Sequence, residues 1–271
     1  MKSVLKSLLP PVLVDGLRKI RGWENQVRFS GDYGSWAEAL RNSRGYDAHE
    51  ILAATHRAMV KIRNGEAVFE RDSVLLDRPE PPFPLICGLL RAASRSSGRL
   101  SVLDFGGALG STYYQCRRFL DTVPQVRWSV VEQPAHVACG QAEFSSEHLR
   151  FYSSIEECLA NERPNVLVLS CVLQYLPAPH EFLQGILGHR IPALIVDRVA
   201  FLAEDRDRLT VQQVPDNIYP ASYPAWFFSR SRFLKQFSSG YTLIHGFPGT
   251  DRVQLDQGES FFEGFVFDVN S

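Results

Sequence analysis

From Leu100 to the end, short apolar runs alternate with segments of helical spacing. Leu100-Ser-Val-Leu103, Trp128-Ser-Val-Val131, Leu149-Arg-Phe-Tyr152, Ala193-Leu-Ile-Val196, Tyr241-Thr-Leu-Ile244 and Phe261 to Val269 read as strands. Asn165-Val-Leu-Val-Leu169 is continuously apolar, the pattern of a strand buried on both faces. Helices are expected from Ser111 through Tyr113, Cys116 and Phe119, over Ile155 to Ala160, and over Glu181 to Leu187. This alternation predicts an α/β domain over 100–271, with a mostly parallel sheet and helices on both faces. Residues 24–99 read instead as a helical lead-in. Ser35-x-x-Glu38 is a capping box opening a helix over Trp36, Ala39 and Leu40. Asp47 with Glu50 makes a similar start. Ile51, Leu52, Thr55, Ala58, Met59 and Ile62 follow at helical spacing, and Gly65 stops the helix. The proline-rich DRPEPPFP leads into a third helix, Leu85 to Ala93.

The first strand runs into VLDFGGALGSTYY, and that text selects a ligand class. Gly106, Gly107 and Gly110 permit a tight turn and close approach to the backbone. Ser111 can cap the helix that follows. A helix start below a glycine turn presents free N–H groups. The loop lacks the lysine of a phosphate loop. It also fits G-x-G-x-x-G poorly, since two of three glycines would be replaced. Asp104, Gly106 and Gly110 fit D-x-G-x-x-x-G directly, with Ala108 at the middle glycine position. A doubly wound domain places a ribose-binding acid about 20 residues further on. Glu132 ends the next strand at 132 − 110 = 22 residues past Gly110, and Gln133-Pro134 stops it. A plain strand–turn–helix with a solvated Glu132 is the alternative.

These residues resemble motif I of the class I S-adenosylmethionine-dependent methyltransferases. The resemblance implies a Rossmann-like class I methyltransferase sheet, mostly parallel with an antiparallel last strand, preceded here by a helical N-terminal extension. It implies S-adenosyl-L-methionine as cofactor, held by Asp104, Gly106, Gly107, Gly110, Glu132, Ser154 and Ser170. The segment Ser170-Cys-Val-Leu-Gln-Tyr-Leu-Pro177 resembles the end of the fourth strand, beside the transferring methyl. Phe29-Ser-Gly-Asp-Tyr-Gly-Ser-Trp36, Gly45-Tyr46-Asp47 and Gly65 to Asp72, with Leu173 to Pro177, resemble a narrower group. This is a family of bacterial methyltransferases often grouped with surface-polysaccharide biosynthesis. The resemblance runs from about Gly22 to the end, and identifies the cofactor better than the acceptor.

Methyl transfer to a hydroxyl needs a base within hydrogen-bond reach. Asp197, at the expected end of strand five, and His245, at the expected end of strand six, are the catalytic candidates. His136 and His180 rank below them. Arg71, Arg198, Tyr219, Tyr223 and Trp226 are candidate acceptor contacts. Arg198 suits a carboxylate or phosphate. The aromatics lie in Gln212 to Phe228, whose three prolines predict a shaped loop. Glu70, Arg71 and Asp72 are charged enough to close over the cofactor or to form a surface ion-pair cluster. Metal would need clustered carboxylates, and Ser170 with Asp197-Arg198 is a poor set, so none is expected.

Composition narrows the partners. The 29 basic and 30 acidic residues leave a net charge of −1, and no basic run marks the body, which disfavours nucleic acid. Five scattered cysteines without a C-x-x-C pair suggest reduced thiols in a cytoplasm and no zinc site. The chain has no apolar run of about 18 residues. Residues 1–23 form a basic amphipathic segment, and 1–21 can rest peripherally on an anionic inner-membrane surface or pack on protein. The alternatives are an O-methyltransferase acting on a sugar or other small polar acceptor, and an inactive cofactor-binding or scaffold protein of the same fold.

Overall fold

The structure is a computed structural model that describes residues 27–44, 48–215 and 221–270. The expectations for 1–23, for Gly45-Tyr46-Asp47 and for Tyr219 lie outside the described residues. In the lead-in come β1 (Arg28–Ser30), α1 (Trp36–Arg41), α2 (Ala48–Arg63), β2 (Phe69–Arg71), β3 (Val74–Leu76) and α3 (Phe83–Arg95). The three expected helices are present. Ser35 caps α1 through the Glu38 N–H at 3.2 Å, and Gly65 ends α2 at φ +75°. The hairpin β2–β3 was not expected, because each strand has only three residues and no period to read.

The main body follows with β4 (Arg99–Phe105), α4 (Ser111–Cys116), β5 (Gln125–Val131), α5 (Pro134–Glu143), β6 (Leu149–Tyr152), α6 (Ile155–Asn161), β7 (Val166–Ser170) and α7 (Pro179–Leu187). Then come β8 (Ala193–Leu202), β9 (Arg208–Gln213), β10 (Ser222–Ser229), α8 (Arg230–Lys235), β11 (Tyr241–Pro248), β12 (Gln254–Leu255) and β13 (Ser260–Val269). Strands β4 to β8 pair in parallel in the order β6-β5-β4-β7-β8. β13 lies antiparallel on β8, and β11 antiparallel on β13. Counted along the chain, the seven core strands therefore lie in the order 3-2-1-4-5-7-6, with the seventh reversed. This is the Rossmann-like class I methyltransferase sheet. Strand order reverses between β4 and β7, which opens a crevice at their carboxyl ends.

Alternation along the strands builds two cores. Leu100 and Val102 of β4, with Val166 and Val168 of β7, face α3 and α5. Leu103, Leu167 and Leu169 face the other way, against α6, α7 and α8. Each such fully buried aliphatic side chain contributes about 1.5–3 kcal/mol. Helix α3 thus packs as a layer on the sheet, although it belongs to the lead-in.

Three sequence expectations are corrected. Gln212 to Phe228 is not a shaped loop. Its described part forms the antiparallel hairpin β9–β10, which extends the sheet, and β1 and β12 add beyond it. Pro224 is tolerated because β10 meets β8 only at Phe228 and Ser229, so its N-terminal half is open on that side. Strand five does not end at Asp197-Arg198. β8 bulges there, with two residues facing Gly264 between the pairs Val196–Phe265 and Val199–Glu263, and then continues to Leu202. β11 likewise runs through His245 to Pro248.

Candidate active site

Two cavities meet over the carboxyl ends of β4 and β7. The larger, about 810 Å³, runs from the glycine loop past Glu132 to Ser154. The smaller, about 540 Å³, holds Glu70, Asp72, Ser170, Asp197 and Arg198. Thr55, Gly106, Ala108 and Cys171 line both.

The glycine loop forms as its spacing requires. Gly106 has φ +76° and its N–H donates to Val131 O at 2.9 Å. A Cβ there would stand 2.5 Å from the Val172 side chain. Gly110, at φ +88°, is the residue before α4, and a Cβ would meet Leu149 at 2.8 Å. It takes the cap position expected of Ser111. Ser111 Oγ instead donates to the Glu70 carboxylate. Gly107 lines the smaller cavity, while Gly110 lines neither.

Asp104 is not at the strand end but one residue inside it, 1% exposed beneath the loop. It accepts the Trp128 indole N–H at 2.9 Å, and a Cβ on Gly107 would fall 2.5 Å from its carboxylate. Burial outweighs the indole bond and pushes its pKa up to about 7. Asp104 thus shapes the loop from below and lines neither cavity.

Glu132 follows β5 and lines the larger cavity, its carboxylate accepting the Gln133 N–H at 2.6 Å. Ser154 lines the same cavity as the N-cap of α6, accepting the Glu157 N–H at 3.1 Å. Tyr223 lines it too, with its hydroxyl accepting from the Gln212 amide at 3.1 Å and its ring edge-on to Tyr175. His136, 3% exposed, also lines it, and its Nδ1 has no partner among the described residues.

In the smaller cavity, Ser170 Oγ donates to Asp197 Oδ2 at 3.1 Å. Burial raises the Asp197 pKa, with the Arg198 charge opposing it. Glu70, 3% exposed, accepts the Ser73 N–H at 2.6 Å, and burial raises its pKa as well. Burial also pushes the Cys171 thiol up to about 12, so it stands protonated at neutral pH.

Arg198 is occupied. Its Nε donates to both Asp251 oxygens at 3.1 Å, and Nη2 to Asp251 at 2.7 Å and Asp72 at 2.5 Å. The guanidinium therefore ties the hairpin β2–β3 to the segment after β11, rather than waiting for an anionic acceptor. Burial disfavours its charge, but the flanking carboxylates hold its pKa well above the usual value. Arg71 lines the cavity and is engaged by Glu80, at 2.9 Å to its carbonyl.

Two candidates stand apart. His245 lies mid-strand in β11, exposed and stacked near Phe247, and lines neither cavity. Trp226 donates to Leu176 O at 3.2 Å and packs in the hairpin core. Residues that the sequence reading did not single out for the site are Asp251, in a segment without periodicity, and Thr55, read only as one helical position among several. Backbone strain marks the site independently. Asp72, Ser73, Ala108, Cys171 and Arg198 all take φ between +51° and +67° and line the cavities. Such conformations cost about 1–3 kcal/mol each in non-glycine residues and cluster at functional sites.

No protein-family model matches the chain, and no curated protein matches it. Solved structures do. The N-terminal domain of EvdMO1, crystallised in the presence of SAH and D-fucose, aligns over 84% of this chain and 100% of its own at 11% identity and TM-score 0.47. Magnesium protoporphyrin IX methyltransferase (ChlM) from Synechocystis PCC 6803, with bound SAM, aligns over 100% and 97% at 11% identity and TM-score 0.45. The N-methyltransferase NodS from Bradyrhizobium japonicum WM9 aligns over 71% and 90% at 18% identity and TM-score 0.40. The fold class is set by the strand order described above. No helix among the described residues is long and apolar enough to cross a membrane.

Proposed function

We propose that the chain binds S-adenosylmethionine in the larger cavity and methylates a small polar acceptor in the smaller one. The observation that carries this is the shared wall. Gly106, Ala108 and Cys171 line both cavities, so a ligand along the loop reaches from Glu132 to the mouth that holds Asp197. The residues fit the cofactor. Glu132 offers a carboxylate for ribose hydroxyls. Phe105, Ile155 and Val172 give an apolar slot for a flat base, and the unpartnered His136 Nδ1 lies on that wall. Ser170, Gly106 and Gly107 border the methionine end.

When bound, the cofactor supplies an activated sulfonium methyl. The chain then has to align the acceptor, a contribution of about 7–11 kcal/mol in favourable cases. Asp197, ionised, takes the hydroxyl proton, and burial makes it a stronger base than a solvated carboxylate. Ser170 fixes its rotamer. Arg71 and Arg198 are already paired, so an uncharged hydroxylated acceptor suits this cavity better than an anionic one. A sugar hydroxyl meets that description. The surface-glycan setting, and a cytoplasmic one, rest on the lead-in text and on cysteine usage.

The test is transfer of labelled methyl to a panel of free sugars, nucleotide sugars and amines. Label in an alkali-stable ether on an uncharged sugar is the expected product. Label on amines alone would overturn the O-directed part. No transfer to any of them, with cofactor bound, would favour the inactive alternative.

A further inference from the structure

Away from both cavities, α2 of the lead-in packs on α5 of the sheet domain. Three unlike donors converge there: His56 from α2, and Cys139 and Glu143 from α5. Their ligand atoms all lie within 4.8 Å of one another. Cys139 and Glu143 are four residues apart, on one helix face. His56 Nε2 sits 3.0 Å from both Glu143 oxygens.

A hydrogen bond joins the imidazole and the carboxylate, and the thiol, partly buried against the core, is the third donor brought to the same spot. We propose that His56, Cys139 and Glu143 form a three-ligand site for a zinc-type divalent cation, tying the lead-in to the sheet domain. One nitrogen, one sulfur and one oxygen donor suit zinc, whereas magnesium and calcium want oxygen cages. Zinc lies about 2.0–2.3 Å from such ligands, which sets their separations at roughly 3.5 Å. The His56–Glu143 pair, at 3.0 Å, stands just inside that spacing, and the 4.8 Å bound on the cluster just outside it.

Access and support are both in place. The His56 and Glu143 side chains are 33% and 42% exposed, so an ion and a fourth, water ligand can enter. Arg63 is the neighbouring cation, and it is anchored elsewhere. Its guanidinium lies over the Phe144 ring at 5.1 Å and donates to the Glu143 carbonyl at 2.7 Å. It stands 3.9 Å from Glu143 Oε2, placed to back the carboxylate as an outer partner. The Phe144 ring meets His56 edge-on at 6.0 Å and limits its tilt. Binding converts the Cys139 thiol to a thiolate and releases one proton to solvent. The site lies outside the cleft, and it runs against the sequence expectation of no zinc site, which rested on the lack of a C-x-x-C pair.

The full chain, freed of metal by chelation, is titrated with cobalt(II), the spectroscopic stand-in for zinc. A thiolate-to-cobalt charge-transfer band is expected, bleached by one equivalent of zinc. Cys139→Ser abolishes the band, and His56→Ala weakens zinc binding by calorimetry at least as much as the ~10–100-fold that outer-shell losses cost. Cys87→Ser, at an exposed thiol elsewhere, changes neither. Circular dichroism confirms that the variants are folded, as expected for half-exposed positions. No thiolate band, or a band that survives Cys139→Ser, overturns the site.

Discussion

Asp104 and Asp197 are both buried carboxylates, yet their surroundings give them different work. Asp104 faces an indole and the underside of a glycine turn, with no ligand space beside it. Its folded pKa of about 7 exceeds the unfolded value of about 3.9. Between those values the folded chain holds the extra proton, so unfolding free energy falls as pH rises, by up to about 1.4 kcal/mol per pH unit. Asp104→Asn should flatten that slope in urea titrations from pH 4.5 to 8, and an unchanged slope would refute the assignment. Asp197 borders open volume instead. Asp197→Asn should lower kcat by about 10²–10⁴ while leaving cofactor affinity unchanged. Since a base must act ionised and burial raises the Asp197 pKa, the proposed role requires the wild-type rate to climb with pH through a midpoint above 3.8. A pH-independent residual rate is expected in the variant.

At the scale of elements, the ties that hold the β2–β3 hairpin over the loop include Glu70 to Ser111 and Gln115, Ser73 to Thr55, and Asp72 to Arg198. Arg198→Ala should speed amide exchange over 69–76 while the β4–β8 strands stay protected. The cost in urea should be about 1.5–3 kcal/mol, the usual scale for a charge-assisted hydrogen bond. Arg198→Lys should not restore protection, because an ammonium cannot fork to both Asp72 and Asp251. Exchange unchanged over the hairpin would refute the clamp. Elements with a strong period were readable in the sequence: β7 from its apolar run, α2 from its spacing, the loop from D-x-G-x-x-x-G. The hairpin β2–β3 was not, being too short to carry a period. Nor was the Asp197-Arg198 bulge, because it is fixed by Gly264 on a strand about 65 residues later, a non-local partner. Prolines 215, 220 and 224 suggested a loop, and tertiary pairing made the described flanks a hairpin instead. Arg198 read as an anchor because its carboxylate partners are distant in sequence.

At the scale of the whole molecule, the sheet places two cavities side by side at its strand-order reversal. β7 ends at Ser170, opposite Asp197, and β10 joins β8 only at Phe201. β13 occupies the other edge of β8, so on the β7–β10 side the sheet parts at Arg198, Val199 and Ala200, just past Asp197. The base candidate therefore borders a gap in the sheet, beside the proposed cofactor crevice. All of this depends on the larger cavity taking S-adenosylmethionine. Calorimetric titration of the full chain, freed of co-purified ligand, tests it most directly. S-adenosylhomocysteine should bind, NAD should not, and Glu132→Ala should weaken binding by at least about tenfold, or 1.4 kcal/mol. A folded chain that binds neither S-adenosylmethionine nor S-adenosylhomocysteine, or that binds them equally well without Glu132, would contradict the account.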